Sequence, residues 1–237
     1  MNRIASVRGQ IPLKIGQKEK LDFNLFLPGE NGEVFQKIKH IAAGTDRSII
    51  YLWGPSGSGK SHLLQAACKY ADENDRNVAY IPLEQHEDLE PQLLEGLETM
   101  DLVCADDIDM IAGRPEWEQP LLHLYNHLRD NDGALLMVAH VSPQAIGFEL
   151  KDLESRLAWD LVYHLKPLDD RDKMEVLRLR ADARAFELPG EVAEYLVKRV
   201  RRDLPGLIKL LDQFEDATLV EKRKLTVPFV KSLLESD

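Results

Sequence analysis

Residues 48–61 read SIIYLWGPSGSGKS, and this stretch decides the fold. The apolar run 48–53 predicts a buried strand. The eight residues after it, Gly54-Pro55-Ser56-Gly57-Ser58-Gly59-Lys60-Ser61, match the phosphate-loop pattern at every fixed position. Glycines let the backbone amides turn inward around phosphates, and the following helix directs its positive end at them. We therefore predict a nucleotide site at residues 54–62, His62 included, where Lys60 reaches phosphate oxygens and Ser61 binds Mg²⁺.

Strands and helices alternate on both sides of this loop. The sequence predicts strands at 48–53, 78–82, 102–105 and 134–139, and helices at 33–43, 60–71, 89–100 and 116–130. Alternation of this length indicates an α/β fold with a parallel sheet between helices. After residue 167 only helices are predicted, at 170–186, 189–200, 204–221 and 228–234. We predict an extended arm at 1–22, a nucleotide-binding α/β domain at 23–166 and a small all-helical lid domain at 167–237.

A second motif lies at residues 102–107, which read LVCADD. An apolar run that ends in two aspartates is, by itself, more often a strand-to-loop boundary. A phosphate loop needs a carboxylate to hold magnesium, so with that loop upstream the run becomes a candidate Walker B motif. Asp106 would bind the metal through water, and Asp107 would polarise the attacking water. Aspartate is one methylene shorter than the glutamate often found there, so the motif favours nucleotide binding over rapid hydrolysis.

Composition excludes several classes of protein. The chain has 237 residues, 30 Lys and Arg against 41 Asp and Glu, a net charge of −11, and 44% apolar residues. This content supports a folded core, while the acidic charge opposes duplex binding by bulk electrostatics. Ten carboxylates and no cation lie between residues 84 and 109, which indicates either a solvated face or a docking face for a basic partner. Two separated cysteines and no membrane-length apolar run predict a soluble cytoplasmic protein.

The order of these motifs is similar to the AAA+ ATPases of the DnaA clade, from about residue 23 to the C-terminus. The segments YLWGPSGSGKSHLLQAAC, LVCADDID, LYNHL, RLAWDLVYHLKPL and KRKLTVPFVK resemble most closely the clade's regulatory inactivators of the initiator DnaA. The resemblance implies that Arg156 is an arginine finger, which acts on ATP held by DnaA. The alternative is an exposed arginine that pairs with Glu154 or Asp160.

Two positions depart from the clade's pattern. His140 stands at the first sensor position, where the clade usually has a small polar or acidic residue, and imidazole differs in geometry and charge. Pro205 stands at the second sensor position, where the clade has arginine, and Arg201 or Arg202, about one turn earlier, would compensate. Both departures weaken the case for an efficient ATPase in cis. The resemblance implies ADP, rather than ATP, as the resident nucleotide, together with Mg²⁺.

The arm contains a short motif at residues 10–15, QIPLKI. Its anchors are Gln10, Ile11, Leu13 and Ile15, and the proline favours extended backbone, so the segment suits a groove-binding strand. It resembles the hexapeptide by which such regulators bind the DNA polymerase III β sliding clamp. An unstructured tail is the alternative. Contact with DNA would then be indirect, through the clamp, and self-association stays open because AAA+ sites normally lie between subunits.

Two functions of different class follow. The first is a nucleotide-bound regulator of chromosome replication initiation that, with the DNA-loaded clamp, promotes hydrolysis of DnaA-bound ATP and so prevents re-initiation. The second is an autonomous AAA+ ATPase that loads or remodels a replication protein. We expect neither DnaA's duplex-reading domain after the lid nor a loader's partner domain in a 22-residue arm.

Overall fold

The computed structural model describes residues 21–200, 203–221 and 223–235. The motif at residues 10–15, Arg201 and Arg202 lie outside the described residues. The strands are β1 (Ile49–Trp53), β2 (Val78–Pro82), β3 (Leu102–Asp106), β4 (Ala134–Ala139) and β5 (Leu161–His164). The α-helices are α1 (Gly32–Ala42), α2 (Lys60–Asp72), α3 (Pro115–Asp130), α4 (Lys151–Trp159), α5 (Asp170–Asp182), α6 (Gly190–Arg199), α7 (Leu204–Glu221) and α8 (Val227–Leu234).

The strands form one parallel sheet in the order β2-β3-β4-β1-β5. Helices cover both faces, so the central strands are apolar along their whole length, and every residue of β4 is buried. Alternate side chains of β1 enter different cores: Ile50 and Leu52 pack with α1 and α2, while Ile49 and Tyr51 pack with α3 and α4. The predicted α/β fold is confirmed.

A third core joins the helices after residue 169. Leu177, Leu196, Leu211 and Phe229 belong to one buried cluster contributed by α5, α6, α7 and α8. A buried asparagine holds the segment that leads into these helices: Asn31 donates to the Lys166 carbonyl at 3.0 Å and accepts from the Lys166 amide at 2.8 Å. In the described ranges, none of the helices combines the length and apolarity needed to cross a membrane.

Three elements differ from the prediction, and one of them is α4 (Lys151–Trp159), where no helix was predicted. The helix predicted at 89–100 is wrong: two short 3-10 turns, Pro91–Leu94 and Leu97–Thr99, occupy this stretch. Gly96 separates the turns with a φ of +86°, a left-handed conformation that ends regular helix. The fifth strand, β5, was not predicted. It is a four-residue edge strand with three exposed side chains, so it lacks the continuous apolar run of the central strands.

Candidate functional site

The phosphate loop connects the end of β1 to the first residue of α2, at the carboxyl edge of the sheet. Gly59 has a φ of +99°, and a Cβ there would lie 2.9 Å from the Phe26 ring, so only glycine suits the position. The Ser58 hydroxyl is buried and has no hydrogen-bond partner among the described residues. The first amides of α2 also lack intrahelical partners, as in any helix. The loop thus holds unsatisfied donors where phosphate oxygens would lie.

Lys60 is buried within this loop. Its ammonium donates to the carbonyls of Gly54 at 2.8 Å and Pro55 at 3.1 Å. Burial lowers the pKa of Lys60, and the carboxylates of Asp107 and Asp106 oppose that effect. A buried cation bound to two carbonyls can exchange them for stronger, anionic acceptors.

The predicted magnesium ligands lie together. The Ser61 hydroxyl donates to Asp106 Oδ1 at 3.2 Å, and the Tyr80 hydroxyl donates to Asp106 Oδ2 at 2.5 Å. Asp106 is buried, and burial raises its pKa even though both hydroxyl donors lower it. Tyr80 was not predicted to contribute; it belongs to β2, which pairs with β3 and so places its hydroxyl beside the carboxylate. Oxygen ligands from a serine and an aspartate fit Mg²⁺.

Asp107 occupies a strained position next to this pair. Its φ is +55°, in the left-handed region, and burial together with the neighbouring Asp106 carboxylate raises its pKa to about 6. The His140 Nδ1 atom lies 3.6 Å from Asp107 Oδ1 and 3.1 Å from Asp109 Oδ2. The His140 amide also donates to Asp109 Oδ1 at 3.2 Å. His140 thus faces Asp107 at the predicted sensor position, and Asp109, which was not predicted to contribute, orients its ring.

His62 faces a different part of the molecule. Its Nε2 atom lies 2.9 Å from the Asp22 carbonyl, and its ring meets the Phe26 ring edge-on at 5.4 Å between centroids. A guanidinium nitrogen of Arg180, on α5, lies 3.4 Å from its Nδ1 atom. Burial lowers the pKa of His62. The structure therefore places His62 between the segment before α1 and the C-terminal helices, while Ser61 faces Asp106.

The first turn of α7 rests on the phosphate loop. Gly57, with a φ of +75°, lies so close to it that a Cβ would stand 2.9 Å from Pro205 Cδ. Asp203 caps this turn, since its carboxylate accepts from the Gly206 amide at 2.9 Å. The residue at the predicted second sensor position thus packs on the loop through a side chain that has no donor.

Arg156 lies in the last turn of α4. It pairs with neither of the two partners considered from the sequence: Glu154 binds Lys151 at 2.9 Å, and Asp160 lies 4.0 Å from Arg129. Instead, Arg156 Nε donates to Asp152 Oδ2 at 3.1 Å, one helical turn earlier, and the side chain stays 35% exposed.

An exposed apolar surface adjoins Arg156. Trp159 is 84% exposed and lies three residues after Arg156 on the same helix. Leu161 and Val162 of β5 are exposed next to it in sequence. Trp159 and Leu161 also line a hollow of about 320 Å³ together with Arg47 and Arg129. Trp159 and Leu161, which share this hollow, therefore form a candidate interaction surface.

A fully buried carboxylate fixes the start of α4. Glu118, on α3, accepts from the backbone amides of Gly113 at 2.8 Å, Glu149 at 3.1 Å and Leu150 at 2.8 Å. Since Leu150 immediately precedes α4, Glu118 anchors the helix that bears Arg156. Glu118 was not predicted to have a role, and its only sequence signal is that of an acidic residue on the apolar face of a predicted helix.

Comparisons with known proteins agree with this architecture. The family of bacterial DnaA ATPase domains matches residues 17–164, and the family described as Hda, lid domain, matches residues 170–234. Domain III of the replication initiation protein DnaA from Thermotoga maritima superposes with a TM-score of 0.80 at 24% identity, covering 92% of this chain and 97% of that one.

Two further solved structures have the same fold. AMPPCP-bound DnaA from Aquifex aeolicus has a TM-score of 0.67 at 23% identity, and the match covers 81% of this chain and 64% of that one. The RuvB Holliday junction branch migration motor of Thermotoga maritima has a TM-score of 0.65 at 17% identity, covering 90% and 73%. Because the DnaA ATPase family matches more than half of the sequence and an Hda-type lid follows it, the chain belongs to the bacterial DnaA ATPase-domain family, as a replication-initiation-related AAA+ protein.

Proposed function

We propose that this protein is a nucleotide-bound regulator of chromosome replication initiation. Together with the DNA-loaded sliding clamp, it promotes hydrolysis of DnaA-bound ATP through Arg156 and so prevents re-initiation. The partly exposed guanidinium of Arg156 carries this proposal: its ion pair among the described residues is with Asp152 on its own helix, not with the carboxylates near Lys60. A guanidinium presented in this way suits the charge that develops on a transferred phosphoryl group.

The protein's own site supports nucleotide binding more strongly than rapid turnover. The loop, with Lys60 and the unpartnered Ser58 hydroxyl, fits the phosphates, and Ser61 with Asp106 would hold Mg²⁺. Bound magnesium would neutralise phosphate charge. We propose ADP as the resident nucleotide, because Pro205 offers no donor to a third phosphate. Arg201 and Arg202 are the side chains that would compensate for this missing donor. Asp107 would polarise the attacking water less effectively than a glutamate, so hydrolysis in this site would be slow.

The test of the finger is Arg156→Ala. We expect DnaA-bound ATP hydrolysis, stimulated by this protein and the clamp on DNA, to fall about a thousandfold or more, to the unstimulated rate. Binding of nucleotide and clamp should stay unchanged. Lys151→Ala, which removes an exposed cation from the same helix, serves as the matched control. Retained stimulation by Arg156→Ala would refute the assignment.

We further propose that the arm binds the sliding clamp through Gln10, Ile11, Leu13 and Ile15, so that DNA contact is indirect. Gln10→Ala combined with Leu13→Ala should remove clamp association in a pull-down, because the polar and apolar anchors are lost. Lys18→Ala, elsewhere in the arm, should have no effect. An unchanged pull-down with the double variant would exclude this segment as the clamp contact.

An autonomous ATPase that loads or remodels a replication protein is the second candidate. The observation that favours it is the group of Lys60, Asp107 and His140, which is compatible with hydrolysis in cis. The nucleotide that copurifies, and the rate at which the isolated protein turns over ATP, separate the two functions. Copurified ADP with negligible turnover supports the regulator, whereas brisk turnover without DnaA supports the enzyme.

A further inference from the structure

We propose that Asp152 and Tyr125 are positioning residues that hold the Arg156 guanidinium by its Nε edge and present its two terminal nitrogens to an oxyanion on a partner. This inference rests on the proposed function for the identity of the oxyanion, the terminal phosphate of the partner's nucleotide. The orientation itself rests on the contacts of these three side chains.

The first contact is the bond from Arg156 Nε to Asp152 Oδ2, 3.1 Å long. It is made through Nε, and among the described residues no bond to either terminal nitrogen of Arg156 accompanies it. Those two nitrogens form the part of arginine that binds a phosphate or carboxylate in a bidentate manner. Asp152 therefore fixes the direction of the guanidinium without occupying its binding edge.

The second contact is the face of an aromatic ring. The central carbon of the Arg156 guanidinium lies 6.0 Å from the centre of the Tyr125 ring. This ring is itself immobilised: Tyr125 is buried on α3, and its hydroxyl donates to Asp160 and accepts from Arg129 at 2.9 Å. Burial and the Asp160 carboxylate raise the pKa of Tyr125 to about 12, so the hydroxyl remains a donor at neutral pH. The guanidinium thus has a fixed platform beneath it and a fixed acceptor at one edge.

The Asp152 to Arg156 pair contributes little to folding. The two side chains are 59% and 35% exposed and stand one helical turn apart, and exposed pairs of this kind have small effects on stability. Removing the Asp152 carboxylate should therefore change the direction of Arg156 without unfolding α4. This distinguishes a positioning role from a structural one.

The first experiment is a double-mutant cycle with Asp152→Ala and Arg156→Ala. It measures the stimulated hydrolysis of ATP bound to DnaA in the presence of clamp-loaded DNA. We expect the maximal stimulated rate to fall about tenfold to a hundredfold, because misplacing a group in the transition state has effects of this size. The concentration giving half-maximal stimulation and the thermal unfolding midpoint should not change. In an Arg156→Ala background, Asp152→Ala should have no further effect, since Asp152 acts through Arg156.

Glu154→Ala is the matched control. Glu154 also lies in the first turn of α4, but it binds Lys151, so the variant removes the same charge near the helix terminus without touching Arg156. The control should retain the wild-type maximal rate. A higher maximal rate with Asp152→Ala would overturn the proposal, because it would mean that the ion pair with Asp152 inhibits Arg156. An equal loss with Glu154→Ala would overturn it as well.

The second experiment does not depend on the function. In ¹H–¹⁵N spectra of the whole protein, the Arg156 Nε–H signal should be separate from the other exposed arginines and should exchange slowly with water. Asp152→Ala should move it to the position of the exposed arginines, whereas Glu154→Ala should leave it in place. A wild-type signal already at that position would refute the orientation. If the spectra are as expected but the protein does not stimulate hydrolysis of DnaA-bound ATP, the proposed function is refuted and the orientation of Arg156 is still supported.

Discussion

Replacing Asp107 with asparagine should make the protein more stable at neutral pH. In the folded chain, burial and the neighbouring Asp106 carboxylate raise the pKa of Asp107 from 3.8 to about 6. Ionising Asp107 in the folded state is therefore unfavourable relative to the unfolded chain. Asparagine removes the charge and tolerates the left-handed backbone at this position, where φ is +55°.

The magnitude follows from linkage. A rise from 3.8 to about 6 corresponds to about 3 kcal/mol at neutral pH, at 1.36 kcal/mol for each tenfold change in proton affinity. Solvent reaches the side chain, which is 17% exposed, and screens part of this cost, so we expect a gain in unfolding free energy of about 1–3 kcal/mol. For a chain of this size the melting temperature should rise by roughly 3–10 °C.

The pH dependence has a definite sign. Between pH 3.8 and about 6 the folded state retains a proton on Asp107 that the unfolded chain has lost, so wild-type stability falls as the pH rises through this window. The gain in unfolding free energy from Asp107→Asn should thus reach its full value above about pH 6 and vanish near pH 4. Urea unfolding at pH 7.5 and pH 4 measures both values. Asp132→Asn controls for the backbone, since Asp132 is exposed and has the same φ of +55°. A variant no more stable than wild type at pH 7.5 would refute the reasoning.

Two further variants test other parts of the structure. Glu118→Ala removes a fully buried carboxylate and leaves three partly buried backbone amides without their acceptor, so urea unfolding should show a loss of about 3–5 kcal/mol; a loss below about 1 kcal/mol would contradict the anchoring of α4. Trp159→Ala should change the unfolding free energy by less than about 0.5 kcal/mol, because the side chain is 84% exposed. The same variant should raise the concentration needed for half-maximal stimulation of DnaA-bound ATP hydrolysis while keeping the maximal rate, and an unchanged concentration would argue against a partner contact at this tryptophan.

The sequence predicts the sheet and the phosphate loop well because both depend on local patterns. Both β2 and β4 lie at their predicted bounds. For β4 the reason is that a central strand of a parallel sheet must be apolar on both faces. The loop spacing predicts Lys60 at the start of α2, and the Walker B pattern predicts Asp106 at the end of β3. The contact of Ser61 with Asp106 then follows from the topology alone.

Contacts between distant segments could not be predicted in this way. Tyr80 reaches Asp106 because β2 and β3 pair in one particular register, and a single strand's pattern does not reveal that register. Glu118 resembles any surface glutamate until the segment before α4 closes over it. The alternative by which Arg156 pairs with Glu154 or Asp160 did not include its partner in the structure, because three acidic residues lie within about one turn of Arg156 and only side-chain geometry selects Asp152.

The packing of Pro205 beside Gly57 places the start of the longest C-terminal helix against the phosphate loop. α7 has 18 residues and so extends about 27 Å at 1.5 Å per residue. Its first turn rests on the apex of the phosphate loop. If the helix tilted by about 5° about that contact, its far end would move by roughly 2 Å because of its length. A rearrangement of the phosphate loop that tilted α7 in this way would therefore move the surface at the far end of the helix by about 2 Å.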